Sequence, residues 1–291
     1  MDIIFRIDNY AYRFFSKLGI CFHYFSYRQI ILRYVKRDSS CLHANKYSYP
    51  EKIEQCRKAW VFWAQGEECL PPILKQCYES VKRNCGDYEI IFVDMENVDD
   101  YVDIPVYIKE KVSKGKISLT HFSDFLRVAL LNKWGGYWVD VTLFLSHPLP
   151  IQNRLFTIKQ PVDNKYISRS QWSGYLWYMP KQHPLAHFLY DYLTLYWSCH
   201  DAVIDYLLID YAIRVFYEKN PCFAKEIDDL PQSNPDHYFF QSCSCESPYS
   251  VAEWNRIAAH TFFFKTTWKK QYKEKCNGQL SFYGKLLNGE L

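Results

Sequence analysis

The feature that most limits what this chain can fold into is a helical pattern that stops at two adjacent glycines and turns at once into a short apolar strand ending on a carboxylate. From Ile117 to Trp134 the apolar residues Phe122, Phe125, Leu126, Ala129 and Leu130 recur at spacings of three and four, the period of one helix face. Gly135 and Gly136 follow, and glycine adopts the left-handed conformation after a helix without a Cβ penalty, so the helix is predicted to end there. Tyr137, Trp138 and Val139 are aromatic and β-branched, which suits a strand, and Asp140 closes it. Asp124 and Arg127 are three apart on the helix and share a face. Taken alone they read as a surface ion pair. Coupled to the glycine turn and Asp140, they bring an acid, a base and a strand-terminal acid to one end of a sheet, where open α/β folds bind ligands.

The residues before this segment supply the rest of such a sheet. Ala59 to Ala64 is a core-strand pattern with Trp63 at its end and a turn at Gly66. Pro71 and Pro72 open a helix that runs to about Asn84, since proline is tolerated in a first helical turn. Glu89 to Asp94 is a buried-strand pattern, apolar from Ile90 to Val93 and closed by the Asp94 carboxylate. This alternation argues for a parallel sheet in an α/β domain. Asp94 either meets a ligand or caps the turn that follows, and stays outside the candidate set. Asp99, Asp100 and Asp103 read as a solvated acidic loop.

After Asp140, Leu143 to Leu145 reads as a continuation of the strand, stopped at His147-Pro148. Phe156 to Ile158 and Tyr175 to Tyr178 are short strand patterns. Pro184 to Trp197 and Ala202 to Tyr217 are helical patterns, the second carrying Asp205 and Asp210. A spacing of five puts these two acids on different faces, so they are not a paired dyad. Asp210 has two readings, a carboxylate facing the reacting groups or a helix-surface charge. Phe262 to Lys270 reads as a strand followed by a basic helix, or as a segment whose lysines cover phosphate charge.

The Ser123-Asp124-x-x-Arg127 helix followed by Gly135-Gly136 and the Asp140-Val141-Thr142 strand end resembles the capsular polysaccharide synthesis protein family, DXD-type glycosyltransferases related to the sugar-binding region of large clostridial toxin glucosyltransferases. The resemblance covers roughly residues 55 to 270. It implies an α/β, GT-A-like nucleotide-diphospho-sugar transferase domain with a Rossmann-like, mostly parallel sheet and added N- and C-terminal helices. It implies transfer of a sugar from a nucleotide sugar, expected to be a UDP-sugar, to a glycan or lipid-linked oligosaccharide in cell-surface polysaccharide synthesis, with retention of anomeric configuration. Trp63 would stack on the uracil, with Trp60 the alternative if the strand faces the other way. Asp124 would accept bonds from sugar hydroxyls, Arg127 would bind sugar or diphosphate oxygens, and Asp210 would face the acceptor or reacting sugar. Asp140 would face a divalent cation, Mn2+ or Mg2+, bridging the diphosphate. In this chain the second Asp of the motif is Thr142, a weaker ligand than a carboxylate. His260 is the candidate that would complete the metal site. Two other readings stay open: a non-catalytic carbohydrate-binding or assembly protein on a degenerate transferase scaffold, and an effector that glycosylates protein side chains.

Composition limits the alternatives. A chain of 291 residues can bury a sizeable core in one catalytic domain, and the expected division is an amphipathic helical region over residues 1–45 and the transferase domain over 46–291. A net charge of +3 is too small to argue for nucleic acid. The 11 cysteines lack the spacing of a zinc site, which points to reduced thiols and a cytoplasmic chain. No signal peptide is expected, because Asp2, Arg6, Asp8 and Arg13 break the first apolar residues. The same basic, aromatic N-terminal stretch suits either peripheral contact with an anionic membrane surface or packing on the catalytic domain.

Overall fold

The computed structural model describes residues 22–43, 46–50 and 54–291, so the apolar residues expected to form a first helix, Ile3 to Leu18, lie outside the described residues. In chain order the elements are α1 (Phe22–Asp38), β1 (Lys58–Phe62), α2 (Pro72–Arg83), β2 (Glu89–Val93), α3 (Val98–Tyr101), α4 (Val106–Ser113), α5 (Leu119–Lys133), β3 (Gly136–Val139) and β4 (Leu143–Leu145). They continue with β5 (Phe156–Thr157), β6 (Leu176–Met179), α6 (Pro184–Cys199), α7 (Leu208–Lys219), α8 (Pro221–Asp228), α9 (Val251–Ala258), β7 (Phe263–Lys265), β8 (Lys275–Cys276), β9 (Gln279–Leu280) and α10 (Phe282–Leu287).

Among the described residues, five strands form the central sheet in the order β2-β1-β3-β6-β5. β1 runs parallel to both β2 and β3, while β6 is antiparallel to β3 and to β5. The mixed α/β architecture expected from the alternation of strand and helix is therefore present, with the parallel part confined to the first three strands. Successive side chains on a strand face opposite ways, and the two faces pack into two cores. Trp60, Phe62, Trp138, Trp177 and Met179 join α5, α6 and α7 on one side. Ala59, Val61, Tyr137, Val139, Leu176 and Tyr178 join α2, β4, β7 and α10 on the other.

The turn between α5 and β3 is fixed by its glycines. Gly135 has φ 74° and Gly136 φ 95°, and a Cβ on Gly135 would lie 2.5 Å from the Lys181 backbone nitrogen and 2.9 Å from the Met179 carbonyl oxygen. Trp60 Nε1 donates to the Gly135 carbonyl at 2.9 Å and locks β1 to this turn. At the other end of α5, Ser118 Oγ accepts from the His121 amide, an N-cap that sets where the helix starts.

Three expectations are revised. Leu143 to Leu145 does not prolong β3: Asp140 and Thr142 make a turn, and β4 leaves the main sheet to pair antiparallel with β7. The second helix of the later half begins at Leu208 rather than Ala202, so Asp205 precedes it. No basic helix follows β7; residues 268–270 are a bend. In the N-terminal region, Ile31, Leu32 and Val35 of α1 are buried in the same core as α6 and α7. That apolar face packs against α7. Among the described residues no helix is long and apolar enough to cross a membrane.

Candidate active site

Because β1, β2 and β3 are parallel, their carboxyl ends share one edge of the sheet, and Trp63, Asp94 and Asp140 all follow directly from it. Asp94 Oδ1 accepts from the amides of Glu96 at 2.8 Å and Asn97 at 3.0 Å. It is a turn cap, the structural one of its two readings. Trp63, Arg127, Asp140 and Thr142 line a cleft of about 440 Å3 at this edge, and β7 with the segment after it closes the opposite wall through Lys265, Thr266 and Trp268.

Arg127 comes from the buried face of α5 and is 7% exposed. Its Nη2 lies 3.1 Å from Asp124 Oδ1, its Nη1 donates to the Gly174 carbonyl, and its guanidinium lies 5.1 Å from the centre of the Trp138 ring. The planar fork is thus fixed on three sides, a role that an ammonium cannot copy. Asp124 sits behind Arg127. Burial raises its carboxyl to about 6; Arg127 opposes the rise, and the charge of Asp140 adds to it.

Asp140 behaves in the opposite way. Burial works to raise its carboxyl, but Lys265, the Thr142 hydroxyl and amide, and Arg127 outweigh burial and hold it at about 2. Oδ1 accepts from the Thr142 amide at 3.0 Å and from Thr142 Oγ1 at 2.5 Å, and Lys265 Nζ lies 3.1 Å from it. Lys265 Nζ also donates to Thr142 Oγ1. Asp140 is therefore ionised throughout the neutral range, with its charge engaged by an internal cation.

Asp210 lies on α7 and accepts a 2.7 Å bond from Trp172 Nε1. Burial raises it to about 6, Trp172 opposing and the charge of Asp124 adding. It does not line the cleft. It belongs to a half-buried layer with Asp124 behind the cleft wall, neither a helix-surface charge nor a group on the wall itself.

His260 stands apart from the other candidates. It is exposed in the turn after α9, and its amide bonds to the Ile257 carbonyl. β7 pairs with β4 so that Phe263 faces Leu145 and Lys265 faces Leu143. The chain therefore approaches Asp140 only as it runs from Phe263 to Lys265, and His260 is left at the remote end. Among the described residues no group of three or more His, Cys, Asp or Glu side chains could hold a metal ion. The donor set present is one carboxylate and one hydroxyl, and because Lys265 Nζ already contacts Asp140 Oδ1 and Thr142 Oγ1 it does not fit a second, divalent cation at those oxygens.

Several cleft residues were outside the candidate set: Trp138, Lys265, Trp268 and Tyr206. Tyr206 is 64% exposed at the rim and meets the His121 ring edge-on at 5.7 Å. Trp268 meets Trp63 edge-on at 5.7 Å. The sequence signal for Lys265 and Trp268 was only that of a basic, aromatic tail. Nε1 of Trp63, Nε1 of Trp138 and Nε of Arg127 are buried donors without a hydrogen-bond partner. Buried N–H groups are rarely left so, and three around one cleft suit a ligand rich in oxygen acceptors.

Comparison with known proteins gives likenesses of three kinds. A solved structure, the PaToxG glycosyltransferase, superposes with a TM-score of 0.43 at 13% identity, covering 80% of this chain and 94% of that one. The O-glycosyltransferase braB of Annulohypoxylon truncatum is 29% identical over 98 residues, 31% of this chain. That matched stretch spans 23% of the length of the relative. The model of the capsular polysaccharide synthesis protein family matches residues 11–286, nearly the whole length, and the chain belongs to that family.

Proposed function

We propose that this protein is a glycosyltransferase that moves a sugar from a nucleotide sugar, a UDP-sugar by preference, to a hydroxyl of a glycan or lipid-linked oligosaccharide in cell-surface polysaccharide synthesis. The observation that carries the reading is the cleft at the carboxyl edge of the parallel strands, where Arg127 and Lys265 face one space with Asp140 between them. In the reaction, the bond from the anomeric carbon to the diphosphate oxygen breaks, a bond to the acceptor oxygen forms, and the proton of the acceptor hydroxyl passes to the departing diphosphate. Negative charge then grows on the departing diphosphate. Fixed cations in a partly water-excluded cleft stabilise that charge without having to reorganise. Trp63 and Trp268 offer aromatic faces and edges to the base, and the Arg127 fork is suited to sugar or phosphate oxygens.

The test is binding and turnover across UDP-, GDP- and CMP-sugars with the native protein and with Asp140→Asn. One donor class should bind and be hydrolysed or transferred, and Asp140→Asn should lower turnover by about a hundredfold, the scale of losing one preorganised charge contact. Unchanged turnover in that variant refutes the assignment of Asp140. Thr142 in place of an acid favours a second reading, a carbohydrate-binding scaffold without catalysis. Donor binding with no turnover on any acceptor would support it.

A further inference from the structure

We propose that Lys265 occupies the place of a divalent cation in this cleft, so that the chain binds a nucleoside diphosphate without metal. The inference rests on the donor-site reading above and concerns how that site balances phosphate charge. Three observations carry it.

The first is the ligand set. A cation at Asp140 would need Thr142 Oγ1 as a second ligand, but that hydroxyl donates to Asp140 Oδ1 and accepts from Lys265 Nζ. Asp140 Oδ1 and Thr142 Oγ1 are already bridged by one ammonium, which a metal would have to displace from both. The second is the way Lys265 is held. The register of β7 on β4 sets Lys265 opposite Leu143, its amide donates to the His237 carbonyl at 2.7 Å, and the next residue donates twice to the Thr142 carbonyl at 2.8 Å. The backbone is thus held at His237 through the lysine's own amide and, one residue on, at Thr142, two residues from Asp140. A cation so fixed is part of the scaffold. The third is its position. Lys265 lines the cleft with Arg127, and Nζ lies 5.0 Å from the centre of the Tyr175 ring, within the range of a cation–π contact.

A lysine ammonium has three donors. Asp140 and Thr142 account for two of them, so one stays available for a phosphate oxygen. The replacement of the second motif acid by Thr142 then has a physical reason: two carboxylates beside a single ammonium would leave one negative charge against the diphosphate.

The experiment is calorimetric titration of UDP into the full chain, once with excess EDTA and once with manganese, together with the electron paramagnetic resonance spectrum of manganese in the UDP-saturated sample. The affinities are expected to agree within about threefold, and the spectrum to be that of the free aqueous ion. Lys265→Met, checked for folding by circular dichroism, should weaken UDP in EDTA by about tenfold or more, the scale of a lost charge-assisted bond. UDP binding that requires manganese, or a bound-manganese spectrum, overturns the proposal while leaving the transferase reading intact, and neither measurement depends on the variant. Unchanged UDP affinity in a folded Lys265→Met protein also overturns it. UDP binding under neither condition sinks the donor reading itself and this proposal with it.

Discussion

Replacing Asp210 by Asn should stabilise the protein at neutral and alkaline pH, although a 2.7 Å hydrogen bond is involved. Trp172 Nε1 donates to Asp210 Oδ1, and the amide oxygen of Asn can accept the same bond. What the change removes is a carboxylate held at about 6, chiefly by burial, against a model value of 3.8. For an acid whose folded value is raised, the native state binds more protons than the unfolded chain between these two pH values. Stability therefore falls as pH rises from about 4 to about 6 and stays low above that. A shift of two pKa units corresponds to about 2–3 kcal/mol. Asn carries no such cost, so the variant should gain up to that amount near pH 8 and almost nothing near pH 4. For a chain of this size the gain is about 5 °C in melting temperature. Melting curves of both proteins at several pH values are the assay. A variant that is less stable near pH 8, or whose advantage is the same at both ends of the range, would refute the argument that burial dominates at this site. Turnover should fall in the same variant, because Asp210 shares the electrostatic layer that also holds Asp124 and Arg127.

The other predictions concern the cleft and the turn beside it. Arg127→Lys keeps the charge but loses the fork that joins Asp124 to Gly174 and covers Trp138; about 2–3 kcal/mol of stability and more than tenfold in turnover should go, measured by denaturant titration and donor kinetics. Full activity in that variant would mean that only charge matters there. Trp63→Ala should weaken UDP by about 1–3 kcal/mol, the scale of base stacking, with the melting temperature of the free protein changing less than for a core Trp, since Trp63 is only partly buried. Gly135→Ala should cost about 3 kcal/mol or more, from positive φ together with backbone contact to Lys181 and Met179, and a soluble, normally melting variant would disprove that account.

How much of this was legible in sequence follows from the range of each interaction. The helix to Lys133, the glycine turn and β3 are set by residues within one or two turns of each other, and the apolar period with the glycine pair and the β-forming residues after it marked them; the Ser118 N-cap that starts the helix came only with the structure. The carboxylate at the strand end followed from the same local pattern, because a parallel strand that stops there must present its last residue at the sheet edge. Asp124 and Arg127 could be paired for the same reason, being one helical turn apart. Their value as more than a surface pair came from Gly174 and Trp138, which lie elsewhere in the chain.

The tertiary structure alone decided what Asp140 binds. Thr142 is two residues away, and its turn is local; Lys265 is 123 residues from Thr142 and reaches it only because β7 pairs with β4. No spacing rule encodes an antiparallel partner at that separation. The same holds for the Trp172 bond that reveals Asp210 as a half-buried acid, and for the place of His260, whose separation from the cleft depends on which way β7 runs. Local propensity thus fixed the elements and the strand-end acid. Long-range strand pairing and burial fixed the charge state of each carboxylate and put an internal ammonium where the motif alone called for a metal.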